Sequence, residues 1–188
     1  MLGKHLVKGE KINISKISDY YNKFTIDITN KVNNEISFDI DIFLCMCEVN
    51  NRINKKKIIF YNNPENSGEN IRFEDFFTDD IENKKVFQID LNSVEKDIYK
   101  LIIGYSVYKN KKNIDKHGTT NITIKFINST MQAEIFTMDI HENIINNNSG
   151  VIGEIYRYKD FWKFNAIEHI SKEGLIATIR DLFDVEFY

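Results

Sequence analysis

Apolar and polar residues alternate with a period of two along most of this chain. Such runs, or runs rich in β-branched residues, predict strands over Lys11–Ile14, Lys23–Thr29, Ile36–Cys47, Lys57–Asn62, Lys85–Leu91, Lys100–Tyr108, Asn121–Ile127 and Ala133–Asp139. The stretches between them are polar and turn-prone, among them Asn62-Asn63-Pro64-Glu65-Asn66-Ser67-Gly68 and Asn146-Asn147-Asn148-Ser149-Gly150. Many short strands at such spacing predict an all-β antiparallel sandwich or barrel. Near the C-terminus the period changes. Leu175, Ile176, Ile179, Leu182 and Phe183 are three and four apart, which predicts an amphipathic helix capping one end of the sandwich, with Ser171 as N-cap. A second helical turn is expected over Val94–Tyr99.

Length and composition add bounds. The 188 residues, 42% hydrophobic and 13% aromatic, can close one core, so a single domain over 1–188 is expected. Phe24, Phe38, Phe43, Phe60, Phe87, Tyr105, Phe126, Trp162 and Phe164 lie on the strand-like runs and are expected in that core. The net charge of -3 leaves no basic field of the kind that neutralises phosphates, so no nucleic-acid partner is expected. Charge interrupts the N-terminal apolar residues early and no later stretch reaches membrane-span length, so the expected location is cytoplasmic, without membrane insertion. Cys45 and Cys47 sit two apart on one strand face, ~7 Å apart by strand rise, and read as buried thiols.

The local signatures of catalysis are missing. There is no phosphate loop, no G-x-G-x-x-G, no G-x-S-x-G elbow, and His5, His117, His141 and His169 lack ligand spacing. The expectation is a protein that is not an enzyme. The informative segment is Phe38-Asp39-Ile40-Asp41-Ile42-Phe43, where alternation places Asp39 and Asp41 on one face. Two carboxylates ~7 Å apart repel by about 2 kcal/mol at an effective dielectric near 20, and a hard cation would remove that cost. Calcium needs six to eight oxygen ligands, and the neighbouring candidates are Asn62, Asn63, Asp75 and the cluster Asp79-Asp80-Ile81-Glu82. The alternative is that all of these are ordinary solvated acids.

The order of motifs resembles the TerD family of tellurium-resistance proteins. Leu6-Val7-Lys8-Gly9 resembles its opening L-x-K-G, Phe38-Asp39-Ile40-Asp41 its F-D-L-D, and Phe60-Tyr61-Asn62-Asn63 its F-Y-N-N. Gln88-Ile89-Asp90-Leu91 is similar to I-x-V-D-L, and Gly153-Glu154-Ile155-Tyr156-Arg157 with Trp162-Lys163-Phe164-Asn165-Ala166 to the closing G-E-L-Y-R and W-K-F-x-A. The resemblance implies a two-sheet antiparallel β-sandwich with short helices, a calcium-binding acidic surface, and a non-enzymatic role in stress resistance. It also implies partners: other tellurium-resistance-type proteins, in cytoplasmic or membrane-associated assemblies.

The chain departs from the family where calcium is concerned. Asp75 stands at the family's G-D aspartate, but the following acidic loop is shortened, and Lys84 and Lys85 fall near its D-D-E. The G-L-G-W-D turn is replaced by Asp27-Ile28-Thr29-Asn30-Lys31. Asp39, Asp41, Asn62 and Asp75 are the ligand positions the resemblance carries over, with Asp79 and Asp80 as compensators. Two readings follow: a calcium-binding module presenting a surface to protein partners, or a calcium-independent interaction protein of the same fold.

Overall fold

Alternation does what the sequence leads one to expect, and the computed structural model describes its result over residues 3–16, 22–33, 38–77, 82–109, 119–143 and 147–188. In chain order the strands are β1 (Lys4–His5), β2 (Lys11–Lys16), β3 (Lys23–Asn33), β4 (Phe38–Glu48), β5 (Arg52–Ile53), β6 (Ile58–Ile59) and β7 (Ile71–Phe77). They continue as β8 (Glu82–Asp90), β9 (Ile98–Lys109), β10 (Thr119–Asn128), β11 (Ala133–Asn143), β12 (Ser149–Tyr158), β13 (Phe161–Ser171) and β14 (Glu186–Phe187). One sheet has the order β1-β11-β10-β3-β8-β7 and the other β2-β13-β12-β9-β4-β6. All pairings in these two sheets are antiparallel except β1 with β11.

The inner faces of both sheets contribute to one core. On β4, Ile40, Ile42, Leu44 and Met46 are buried in it, facing Phe24, Ile26 and Ile28 of β3 and Phe87 and Ile89 of β8. Phe126, Phe136 and Phe164 meet there with ring centroids 4.4–5.1 Å apart, within the range where aromatic quadrupoles favour contact. The fold class is therefore the antiparallel β-sandwich. Of the aromatic residues expected in the core, Phe43 and Phe60 instead stack on each other on the outer face, centroids 5.3 Å apart, and the Phe38 side chain lies outside what the structure describes.

The helix α1 (Leu175–Phe183) forms where the period changes, but not where it was expected to pack. It lies on the outer face of the second sheet, against β12 and β9, and does not cap an end. There Leu175, Ile179 and Val185 close a second apolar cluster over Cys45, Cys47, Ile102 and Val151. A Cβ at Gly104 would come within 2.7 Å of Leu175 Cδ1 and 3.0 Å of the Gly150 carbonyl, so glycine there lets the helix sit close to the sheet. The N-cap is Gly174, which supplies no side-chain cap; Ser171 Oγ instead accepts from the Glu173 N–H one turn earlier. After the helix, β14 pairs in parallel with β5, and Tyr188 donates its hydroxyl to Glu48.

Other local expectations are corrected. Over Lys57–Asn62 the chain makes a 3-10 turn at Lys55–Lys57, then a two-residue strand and a tight turn, because Asn63 Nδ2 donates to the Ile58 and Lys56 carbonyls and folds the segment back. Val94–Tyr99 is not helical: Asp90 receives the Ser93 N–H in a turn, and β9 begins at Ile98. Strands β7, β12 and β13, and the two-residue β1, β5 and β14, lie outside the runs that alternation predicts. Residues 149–155 of β12 are covered on both sides, by the core and by α1, which erases the polar half of the alternation.

Candidate functional site

The carried-over positions fall on two different faces. Asp39 and Asp41 share the outer face of β4 with Phe43, Cys45 and Cys47, since the residues between them point into the core. Across the ladder, Asp39 stands opposite Tyr108 and Asp41 opposite Ser106. The side-by-side placement expected from the sequence is thus present. Burial, followed by repulsion from Asp39, pushes the Asp41 carboxyl above its ordinary pKa. Asp39 and Asp41 form no ion pair or hydrogen bond with another described side chain.

Asp75 lies elsewhere. On β7 and β8 the cross-strand pair Phe73 and Phe87 is in the core, and the next pair on the same face is Asp75 and Lys85. The Lys85 side chain is only 3% exposed, and its ammonium is 3.5 Å from Asp75 Oδ1. That carboxylate oxygen is itself buried and accepts no hydrogen bond. The distance exceeds the 2.7–2.9 Å of a strong charge-assisted bond, so the pair is an electrostatic contact. Lys85 reaches further: it lowers the Asp41 pKa, while Asp75 raises it. The second lysine of the motif departure, Lys84, holds Asp27 Oδ2 at 2.6 Å.

Asn62 is exposed in the turn that β6 leads into, beside Tyr61. Asp79 and Asp80 lie outside the described residues. Among the described residues, no group of three or more His, Cys, Asp and Glu side chains converges as a metal centre. Thiol chemistry is disfavoured too. Burial raises the Cys45 pKa to about 12 and that of Cys47 in the same direction, keeping both protonated near neutrality.

Several motif residues are structural. The Arg157 Nε donates to the Ile98 carbonyl, and its Nη2 to those of Val94 and Glu95, tying β12 to the turn that starts β9. A side chain at Gly153 would meet the Phe164 ring at 2.5 Å and the Asn165 carbonyl at 2.6 Å. Glu154 holds Lys100 at 2.9 Å and accepts from Asn165.

Sequence reasoning missed a groove beside the acids. Its floor is Phe43, Cys45, Ser106 and Tyr108, its walls are the start of α1 and the Ile58–Phe60 segment, and its volume is about 530 Å³. The signal available was Phe43 and Tyr108 sharing the parity of Asp39 and Asp41 on their strands, which put aromatic rings on a face otherwise read as wet.

Known proteins bear on this geometry. YceE, an uncharacterized protein of Bacillus subtilis (strain 168), is 27% identical over 184 residues, covering 94% of this chain and 95% of its own. General stress protein 16U of the same organism is 25% identical over 186 residues, at 94% and 95% coverage. A crystal structure of a homologue of telluride resistance protein (TerD) from Streptomyces coelicolor A3(2) shares the fold, with a TM-score of 0.53 at 9% identity over 85% of this chain and 98% of that one. The TerD domain profile matches residues 2–182, nearly the whole of the sandwich and most of α1, and the chain belongs to the TerD domain family.

Proposed function

We propose that this chain is a non-catalytic, calcium-independent stress-response module that works by binding other tellurium-resistance-type proteins. The stress role rests on family membership and on a relative designated a general stress protein. Calcium independence rests on one observation: the buried ammonium of Lys85 beside Asp75. A divalent ion held about 4 Å from that ammonium meets a repulsion of roughly 8 kcal/mol at an effective dielectric near 20. That cancels more than half of the roughly 14 kcal/mol that one carboxylate at calcium's ligand distance of about 2.4 Å returns at the same dielectric, before the cost of stripping water from the ion. The donors are also divided, Asp39 and Asp41 outside the sheet and Asp75 inside it. An ammonium fixed by the fold supplies permanently the positive charge that an ion would supply on demand.

No helix among the described residues is long and apolar enough to cross a membrane, and the proposed setting is the cytoplasm. The calcium-binding reading has one feature in its favour: Asp39 and Asp41 form no ion pair or hydrogen bond with another described side chain, and Asp41 is half-buried. Thermal unfolding in chelator and in millimolar calcium decides between the two. A ligand at 100 times its Kd stabilises the folded state by about 2.7 kcal/mol. The expected result is an unchanged Tm; a rise of several degrees establishes the calcium-binding module instead.

A further inference from the structure

The groove on the outer face of the second sheet runs up to Asp39 and Asp41, which are also candidate calcium positions. At about 530 Å³ it is of the size that holds small molecules. Its walls are apolar: Leu175 and Ile176 of α1 on one side, Ile58 and Phe60 on the other. Four aromatic rings, Phe43, Phe60, Tyr108 and Phe187, line it, and Tyr61 lies just beyond the lining. Phe43 stacks on Phe60, Phe60 meets Tyr61 edge-on at 5.4 Å, and Tyr108 lines the floor with its side chain 56% exposed as a residue.

Charge selects the occupant. Tyr108 stands opposite Asp39 on the ladder, and Asp41 is its diagonal neighbour, so the floor of the groove continues directly into two carboxylates without a described ion-pair partner. Burial and then Asp41, Tyr61 and Asp39 raise the Tyr108 phenol pKa, which places all four groups in one electrostatic neighbourhood. Among the described residues Lys55 is the one cation lining the groove, and it lies on the 3-10 turn, at the wall that carries Ile58. Against the acid pair stand Lys55 at the wall and Lys85, which acts on Asp41 from the other sheet; the two carboxylates at the end of the floor still favour a positive guest, and π faces add to that preference.

We infer that this groove binds a small organic ammonium ion with an apolar body, its hydrophobic part between α1 and the Ile58–Phe60 wall and its charged head beside Tyr108, Asp39 and Asp41. The inference rests on the calcium-independent reading, since the charged head would share Asp39 and Asp41 with any bound ion; the titration is therefore run in chelator, where failure to bind the ammonium is separable from a Tm response to calcium.

The test is a calorimetric and NMR titration of the whole protein with phenylbutylammonium, and separately with the isosteric anion phenylpentanoate. The ammonium should bind with a Kd of roughly 0.1–1 mM and at least about tenfold more tightly than the anion. Shifts should centre on Phe43, Tyr108 and Ile176. Asp39→Asn/Asp41→Asn should erase the preference for the cation, and Tyr108→Ala, at an exposed position that the fold does not need, should weaken the ammonium about threefold or more. Equal or tighter binding of the anion overturns the inference. So does ammonium affinity that survives both variants, an absence of binding, or shifts centred away from the groove.

Discussion

Arg157 lays its guanidinium over Trp162, the carbon 4.2 Å from the ring centroid, while three of its hydrogen bonds go to main-chain carbonyls. Trp162 is fully buried, and the two residues are register partners on β12 and β13. Stacking and a planar fork of donors are both properties of guanidinium that an ammonium lacks. Arg157→Lys is therefore expected to destabilise the protein by about 2–3 kcal/mol, through three under-satisfied carbonyls and a lost cation–π contact. Urea unfolding measures it; a loss below about 0.5 kcal/mol shows that the stacked geometry contributes nothing.

Lys85 and Asp75 invite a paired substitution. Lys85→Met leaves the Asp75 carboxylate against the core without its cation and is expected to cost about 2–4 kcal/mol. Adding Asp75→Leu removes the orphaned charge as well. Much of the loss should then return, since a buried ion pair replaced by apolar groups of similar size is often neutral or better. If the double variant unfolds as easily as the single one, the two residues do not act as a pair.

Asp41 should give stability a pH dependence of the less common sign. Its carboxyl binds a proton more tightly folded than unfolded, because burial and Asp39 disfavour the charge. The folded state thus holds more protons than the unfolded chain between the ordinary aspartate pKa and the raised one, and this contribution to stability declines as pH rises through that window. Asp41→Asn is expected to raise Tm near pH 7 and to leave it unchanged near pH 3, where the carboxyl is protonated in both states. Solvent reaches the group, so the gain stays below about 1 kcal/mol. An equal gain at both pH values would assign the effect to something other than charge.

The strands that alternate cleanly were legible. Phe38–Cys47 read as a strand with paired acids on one face because Ile40, Ile42 and Leu44 occupy the intervening positions. Strand β7 was harder: Ile71 and Phe73 alternate with Arg72 and Glu74, but the next inward position is Asp75, an acid that only a cation across the ladder makes tolerable. The helix was legible from its period, its docking site was not. Where α1 packs is set by Gly104, by the exposed side of β9 and β12, and by hydrogen bonds such as Ser149 Oγ to the Glu173 carbonyl, each far away in the chain.

By itself the sequence determined the local periods, the family order of motifs, and the shared face of Asp39 and Asp41, because these depend on spacing within one strand or one turn. It also marked Lys84 and Lys85 as foreign to a calcium loop. Only the tertiary structure decided that Asp75 faces the core while Asp39 and Asp41 face outward, that Lys85 is buried against the former, and that α1 walls a groove beside the latter. The reason is physical: whether a charge meets a cation, a ring or water depends on which strands and helices pack together, and that is settled by burial summed over the whole chain.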